Sequence, residues 1–483
     1  MNSCGIARLR FSWIFSAVLL VVCTATVFQP LLIRAQRSPH RRPPANSAAS
    51  ETTISQLREA AALLEQGRLD DAEPILRQVL LTAPRNADAH NLLGIVLDQR
   101  AQFKAAETEY RTALRLNPKL ISPLANLGVL LARTDRSDEA IRAFETVLQK
   151  VPDHPQATLN LGLQYVARGN YARAVPVLER ASQLAGDNYQ LRYSLGLAFY
   201  NLKRYDEAFD AFQAAASLSA NAPEPLYYLG LIYWSRQQDE LAADFWDRAV
   251  QLRPNFPDAN FMLGEALRRN RRREAAIEFY ERALDQDPGN FAYYARLGGV
   301  YIQLGYSDKA LDVFRRGLQR FPKLPEAHYF LGIAARARGD YELAETEFSE
   351  SLRLHPDNVD ALAQLGFIIG ERDRYAEAEK VLRSAIALND HHFYANYDLG
   401  RLLVKTKKYS EAVTTLRKAI TLNARNPSVH YQLFIALSRL KQKDEADREL
   451  LVFKQLEEER KSQSRQSDDA DFENPEPAAP PQN

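Results

Sequence analysis

Apolar and polar positions repeat along this chain with a fixed period. Leu-Gly pairs end at Gly94, Gly128, Gly162, Gly196, Gly230, Gly264, Gly298, Gly332, Gly366 and Gly400, each 34 residues after the last. Twelve residues beyond each glycine stands an alanine, from Ala106 to Ala412, and the alanine series extends outward to Ala72 and Ala446. In one unit, Leu159, Leu161, Leu163, Tyr165 and Val166 are spaced as on one helix, with Gly162 among them. A polar turn such as ARGNY (167–171) follows, and then a second apolar pattern through the alanine to a bulky residue four further on: Tyr110, Phe144, Phe212, Trp246, Tyr280, Phe314 or Phe348. Pro84, Pro118, Pro152, Pro254, Pro288, Pro322 and Pro356 close many units, since proline forbids helix continuation. The pattern predicts two helices per unit and twelve units over 53–460. Glycine within a helix costs about 1 kcal/mol relative to alanine, so the glycine series requires a packing reason.

These residues resemble the tetratricopeptide repeat family, whose pattern is W-x2-L-G-x2-Y, then Ala, an aromatic and Pro within 34 residues. The tryptophan position departs from it, holding His90, Leu124, Thr158, Leu226 and Tyr294. The resemblance implies an all-α, right-handed superhelical solenoid of about twelve helix-turn-helix repeats, with atypical terminal units. Those ends are visible as Glu59-Ala60 in place of Leu-Gly and Phe434 in place of glycine. It also implies that each glycine faces the alanine of its second helix, and that first helices line a concave surface at the second, fifth, sixth, ninth and twelfth positions of each unit. The candidate groove residues are then Tyr193, Tyr200, Tyr227, Tyr228, Trp234 and Phe261, with Tyr329, Tyr397, Tyr431, Met262 and Phe330 further along. Two readings stand open for these rings, contact with a partner or packing between adjacent helices.

Two grooves known in the family find little here. A carboxylate clamp needs lysine at the fifth position and asparagine at the ninth, and neither occurs. The asparagine ladder of the O-linked N-acetylglucosamine transferase superhelix is matched only by Asn126 and Asn160.

Charge adds a boundary. Residues 1–50 carry six arginines and no acid, so an overall charge of +1, less those six, leaves the remaining chain at −5. A mildly acidic body argues against nucleic-acid binding, which rests on phosphate neutralisation. Residues 11–33 contain no charge and read as a signal peptide or membrane anchor. The expected organisation is a leader over 1–35, a Pro/Arg-rich linker over 36–52, the repeats over 53–460 and a disordered acidic, Pro-rich tail over 461–483. Export to the periplasm, envelope or exterior is expected, with an uncleaved membrane anchor as the alternative.

No catalytic constellation is present: there is no H-E-x-x-H, no G-x-x-x-x-G-K-[ST] and no G-x-S-x-G. Cys4 and Cys23 both lie in the leader. His90, His328 and His430 share the fourth position of their units, a packing site, and His391-His392 reads as a turn. No enzyme activity, cofactor or metal is expected. A cluster at Arg268, Arg269, Arg271, Arg272 and Arg273 reads either as a solvated turn or as a hold for an acidic segment. The function expected is a non-enzymatic scaffold binding an extended peptide or protein segment in its concave, aromatic-lined groove. The alternatives are a membrane-anchored assembly factor or an accessory subunit of a separately encoded enzyme, such as a glycosyltransferase. The partner is a protein or peptide, with possible membrane association through residues 11–33.

Overall fold

The structure, a computed structural model, describes residues 47–473, with side chains over 51–462. The leader and all but the end of the expected linker lie outside these residues. The described residues form 24 α-helices and no strand. Successive helices pair into antiparallel hairpins such as Pro155–Ala167 with Tyr171–Ala185. The protein is an all-α helical repeat solenoid. The chain divides into two compact units, one ending at Leu252 and one beginning at Arg253, and each holds six hairpins.

Local chemistry sets the helix limits. Asn86, Asn188 and Asn358 cap first helices by accepting the backbone N–H of Ala89, Leu191 and Ala361 at 2.9–3.0 Å. Proline opens others, as at Pro223, Pro257, Pro325 and Pro427, where its missing N–H is no loss. Each hairpin turns through one residue in the left-handed region. Gly339 fills it at φ +86°, whereas Ala101 adopts it at φ +57° despite its Cβ.

The glycines answer to a different neighbour from the one expected. A Cβ on Gly94 would lie 2.6 Å from the Tyr110 ring, and one on Gly128 2.7 Å from that of Phe144. At Gly162 and Gly366 the obstruction is Leu178 at 2.5 Å and Leu382 at 2.6 Å. The bulky residue of the second helix therefore seats on the glycine. The alanine, one helical turn earlier, packs beside this seat: Ala106, Ala140, Ala174 and their equivalents are wholly buried. Burying a ring or leucine gains roughly 1.5–3 kcal/mol, which outweighs the glycine's helix cost.

Hairpins are joined to their neighbours by packing and by side-chain bridges. Within each unit the second helices contact the first helix that follows, and some first helices of successive hairpins also touch, as Val359–Glu371 does Phe393–Lys405. His328 bridges in both directions. Its Nδ1 lies 2.7 Å from Glu347 of its own hairpin and its Nε2 lies 3.2 Å from the Pro322 carbonyl before it. His90 and His430 repeat this geometry with Glu109 and Glu449. The last helix, Lys443–Glu473, runs past residue 461, where composition predicts the tail to begin. The first helix begins at Ser47, inside the expected linker.

Candidate functional site

The expected groove aromatics fall into two groups. In the first unit Tyr193, Tyr200 and Tyr227 do converge, but on Tyr228, which lies against the buried Phe212. Tyr228 stacks on Phe212 at 4.8 Å between centroids, and meets Tyr193, Tyr200 and Tyr227 at 6.1, 5.4 and 5.5 Å. Tyr193, Tyr227 and Tyr228 are only 7%, 6% and 8% exposed, so these three rings serve chiefly as core rather than groove. Burial raises the Tyr193 hydroxyl well above the usual tyrosine range. Tyr200 and Trp234 are half-buried and keep part of their surface at solvent. Trp234 rests 5.7 Å from Trp246, whose indole N–H donates to the Tyr227 carbonyl at 3.0 Å.

The two asparagines do not form a ladder with each other. Asn126 donates to Asn91 at 3.2 Å, and Asn160 turns back to the Gln156 carbonyl of its own helix.

In the second unit the half-buried Phe261 packs against Tyr293 and Tyr280 at 4.9 and 5.7 Å. Beside it the buried Glu265 accepts from Arg268 at 3.1 Å and from the Tyr280 hydroxyl at 2.5 Å, and pairs with Arg296 at 2.8 Å. Arg268 is thereby drawn into a first-helix network, while Arg269, Arg271, Arg272 and Arg273 are exposed around the turn.

Sequence reasoning missed a second group of residues further along this unit. Arg336 and Arg401 hold their guanidiniums 5.5 and 4.7 Å from the centre of the Phe367 ring. Arg401 also pairs with Glu371 at 3.0 Å and lies 3.7 Å from Asp398. Burial pushes the Asp398 carboxyl up to about 6, against the pull of Arg401 and Arg336. Nearby, Tyr394 and Tyr431 are 55% and 42% exposed. The signal available beforehand was Gly370, at a twelfth position held elsewhere by Tyr200, Trp234, Arg268 or Arg336. Among the described residues no group of three or more His, Cys, Asp or Glu is placed to hold a metal ion. No described helix is long and apolar enough to cross a membrane.

Three family models together span most of this architecture. A tetratricopeptide repeat model matches residues 57–121, anaphase-promoting complex, cyclosome, subunit 3 matches 133–215, and the C-terminal domain of cilia and flagella-associated protein 70 matches 238–469. The chain is a tetratricopeptide repeat protein.

Similar solved structures include the APC/C hetero-tetramer Cut9-Hcn1, at 12% identity over 81% of this tetratricopeptide repeat protein and 98% of that chain, with a TM-score of 0.42. Yeast Tom70 is similar at 14% identity over 82% and 97%, with a TM-score of 0.37. Pseudomonas aeruginosa PilF is similar at 22% identity over 45% and 98%, with a TM-score of 0.41. No curated protein matches the chain. The tetratricopeptide repeat scaffold is consistent with a protein-binding role, and such families are generally non-catalytic.

Proposed function

We propose that this tetratricopeptide repeat protein is a non-enzymatic scaffold that binds an extended segment of a partner protein along the face of its first helices. One observation carries the reading. After the rings that seat on glycines and fill the core are accounted for, first-helix aromatics still keep surface at solvent: Tyr200 and Trp234 in the first unit, and Tyr329, Tyr394, Tyr397 and Tyr431 in the second. Aromatic side chains that remain accessible on a rigid scaffold are the side chains that binding hot spots favour.

The test is affinity capture from a native extract, using the intact chain beside a variant carrying Tyr200→Ala, Trp234→Ala and Tyr397→Ala. Loss of the captured proteins with unchanged helicity supports the reading. Equal capture by the variant sinks it. We further propose that the uncharged run 11–33 delivers the repeats out of the cytoplasm. Mass spectrometry of the mature N-terminus, with fractionation of the cells, checks this, and an intact leader in the cytoplasmic fraction contradicts it.

A further inference from the structure

Resting on that reading, a cavity in the second unit narrows the class of partner. It has a volume of about 370 Å³ and opens between the first helices Val359–Glu371 and Phe393–Lys405. That lies at the lower end of the range for ligand pockets and is roomy enough to admit a large side chain. Gly370, Leu402 and Val404 supply apolar wall, Phe367 stands beside them, and Asp398 and Arg401 bring charge.

The two glycines of this wall differ in kind. Gly366 is small because Leu382 seats on it. A Cβ on Gly370 would meet only the Ala378 Cβ at 3.6 Å and Leu402 at 3.7 Å, ordinary contacts. Packing does not demand a glycine at 370. What its missing side chain does is leave the cavity open at a position where Trp234 and Ile302 stand in other units.

The charges around the opening are unequally matched. Arg401 is answered by Glu371 and Asp398, and Lys405 by Asp373 at 3.3 Å. Arg336 is not part of the lining but holds its guanidinium over the lining ring Phe367; it feels Asp398 at longer range and has no carboxylate within ion-pair distance among the described residues. A guanidinium steadied on a ring presents its remaining N–H donors in a fixed fork, which matches a carboxylate.

We propose that this cavity receives a large apolar side chain of the bound segment while Arg336 pairs with an aspartate or glutamate next to it, so that the preferred partner sequence joins an acidic residue to a leucine or phenylalanine. An acidic residue alone lacks the cavity contact, and an apolar residue alone leaves Arg336 without a direct ion pair.

The experiment measures fluorescence anisotropy of labelled eight-residue peptides with central Glu-Leu, Glu-Phe, Asp-Leu or Asp-Phe, against Gln-Leu and Glu-Ser controls, on the full chain. At least one acidic-apolar peptide is expected to bind tenfold or more tightly than either control. Arg336→Gln should weaken it about tenfold, and Gly370→Leu should weaken it tenfold or more by narrowing the cavity, with helicity and melting retained. Arg338→Gln, which removes an exposed arginine paired with Asp308, should change nothing. No preference over the controls, or unchanged binding by both Arg336→Gln and Gly370→Leu, overturns the proposal. If the peptides fail while extract capture still depends on Tyr200, Trp234 and Tyr397, the cavity assignment falls and the scaffold reading survives. If capture also ceases to depend on those aromatics, both fall.

Discussion

Gly230 and Trp246 occupy one another's space: a Cβ on the glycine would overlap the indole, whose N–H is committed to the Tyr227 carbonyl at 3.0 Å. The indole has no free direction of retreat. Gly230→Ala should therefore destabilise the first unit by about 2–3 kcal/mol through overpacking. Gly299 is the internal control. It too is helical, but a Cβ there meets nothing within 4 Å, so Gly299→Ala should stabilise the second unit by about 1 kcal/mol through helix propensity alone. Denaturant unfolding of the pair reads both signs, and a shared sign would refute the seating account.

The His328 bridge gives a second prediction. Removing the ring as His328→Leu leaves Glu347, whose side chain is 13% exposed, without its partner and also breaks the link to Pro322. A loss of about 2–4 kcal/mol is expected, since a buried group left unpaired bears its desolvation cost. Glu347→Leu in the same background should cost little more. Additive losses across this double-mutant cycle would show that the two side chains act independently.

Asp398 makes stability depend on pH with a sign opposite to that of an ordinary paired carboxylate. Its folded-state value, about 6, stands above the usual 3.8 because burial disfavours the charge. The folded state thus holds the proton more tightly than the unfolded chain between those values. The group's stabilising contribution is complete below about pH 4 and is lost as pH rises through 6. Asp398→Asn should flatten this slope and strengthen the second unit at pH 7 by on the order of 2–3 kcal/mol. Urea midpoints at pH 5 and pH 7.5 test it; an unaltered difference between them removes Asp398 as the cause.

The hairpin turns offer a stabilising change. Ala101, at φ +57°, carries a Cβ in a conformation that glycine adopts freely. Ala101→Gly should gain about 0.5–1 kcal/mol, the relief of strain exceeding the added freedom of the unfolded chain. Gly339→Ala, at φ +86°, should lose a similar amount. Thermal unfolding of both variants provides the check.

The period of 34 made the hairpins legible because no insertion interrupts the glycine and alanine series. What seats on each glycine was harder to read. Alanine and the bulky residue four positions later share one face of the second helix, and spacing alone does not order them along the crossing. The same limit applies to Tyr228. Its position in the repeat marks a first-helix face, but whether the ring turns outward or lies against Phe212 is decided by the size of the side chain in the preceding hairpin. The cavity beside Gly370 needed the opposite kind of evidence. A glycine that no neighbour crowds is recognised only when coordinates show the empty space around it.

Every glycine seat is closed inside its own hairpin, sixteen residues from first partner to second. A gene that duplicated or shed one whole period would hand each surviving hairpin an intact seal. A slip of a single residue between the partners would instead turn the ring away from its socket and open that hairpin alone. Variation in length among descendants of this chain should therefore accumulate in strides of thirty-four.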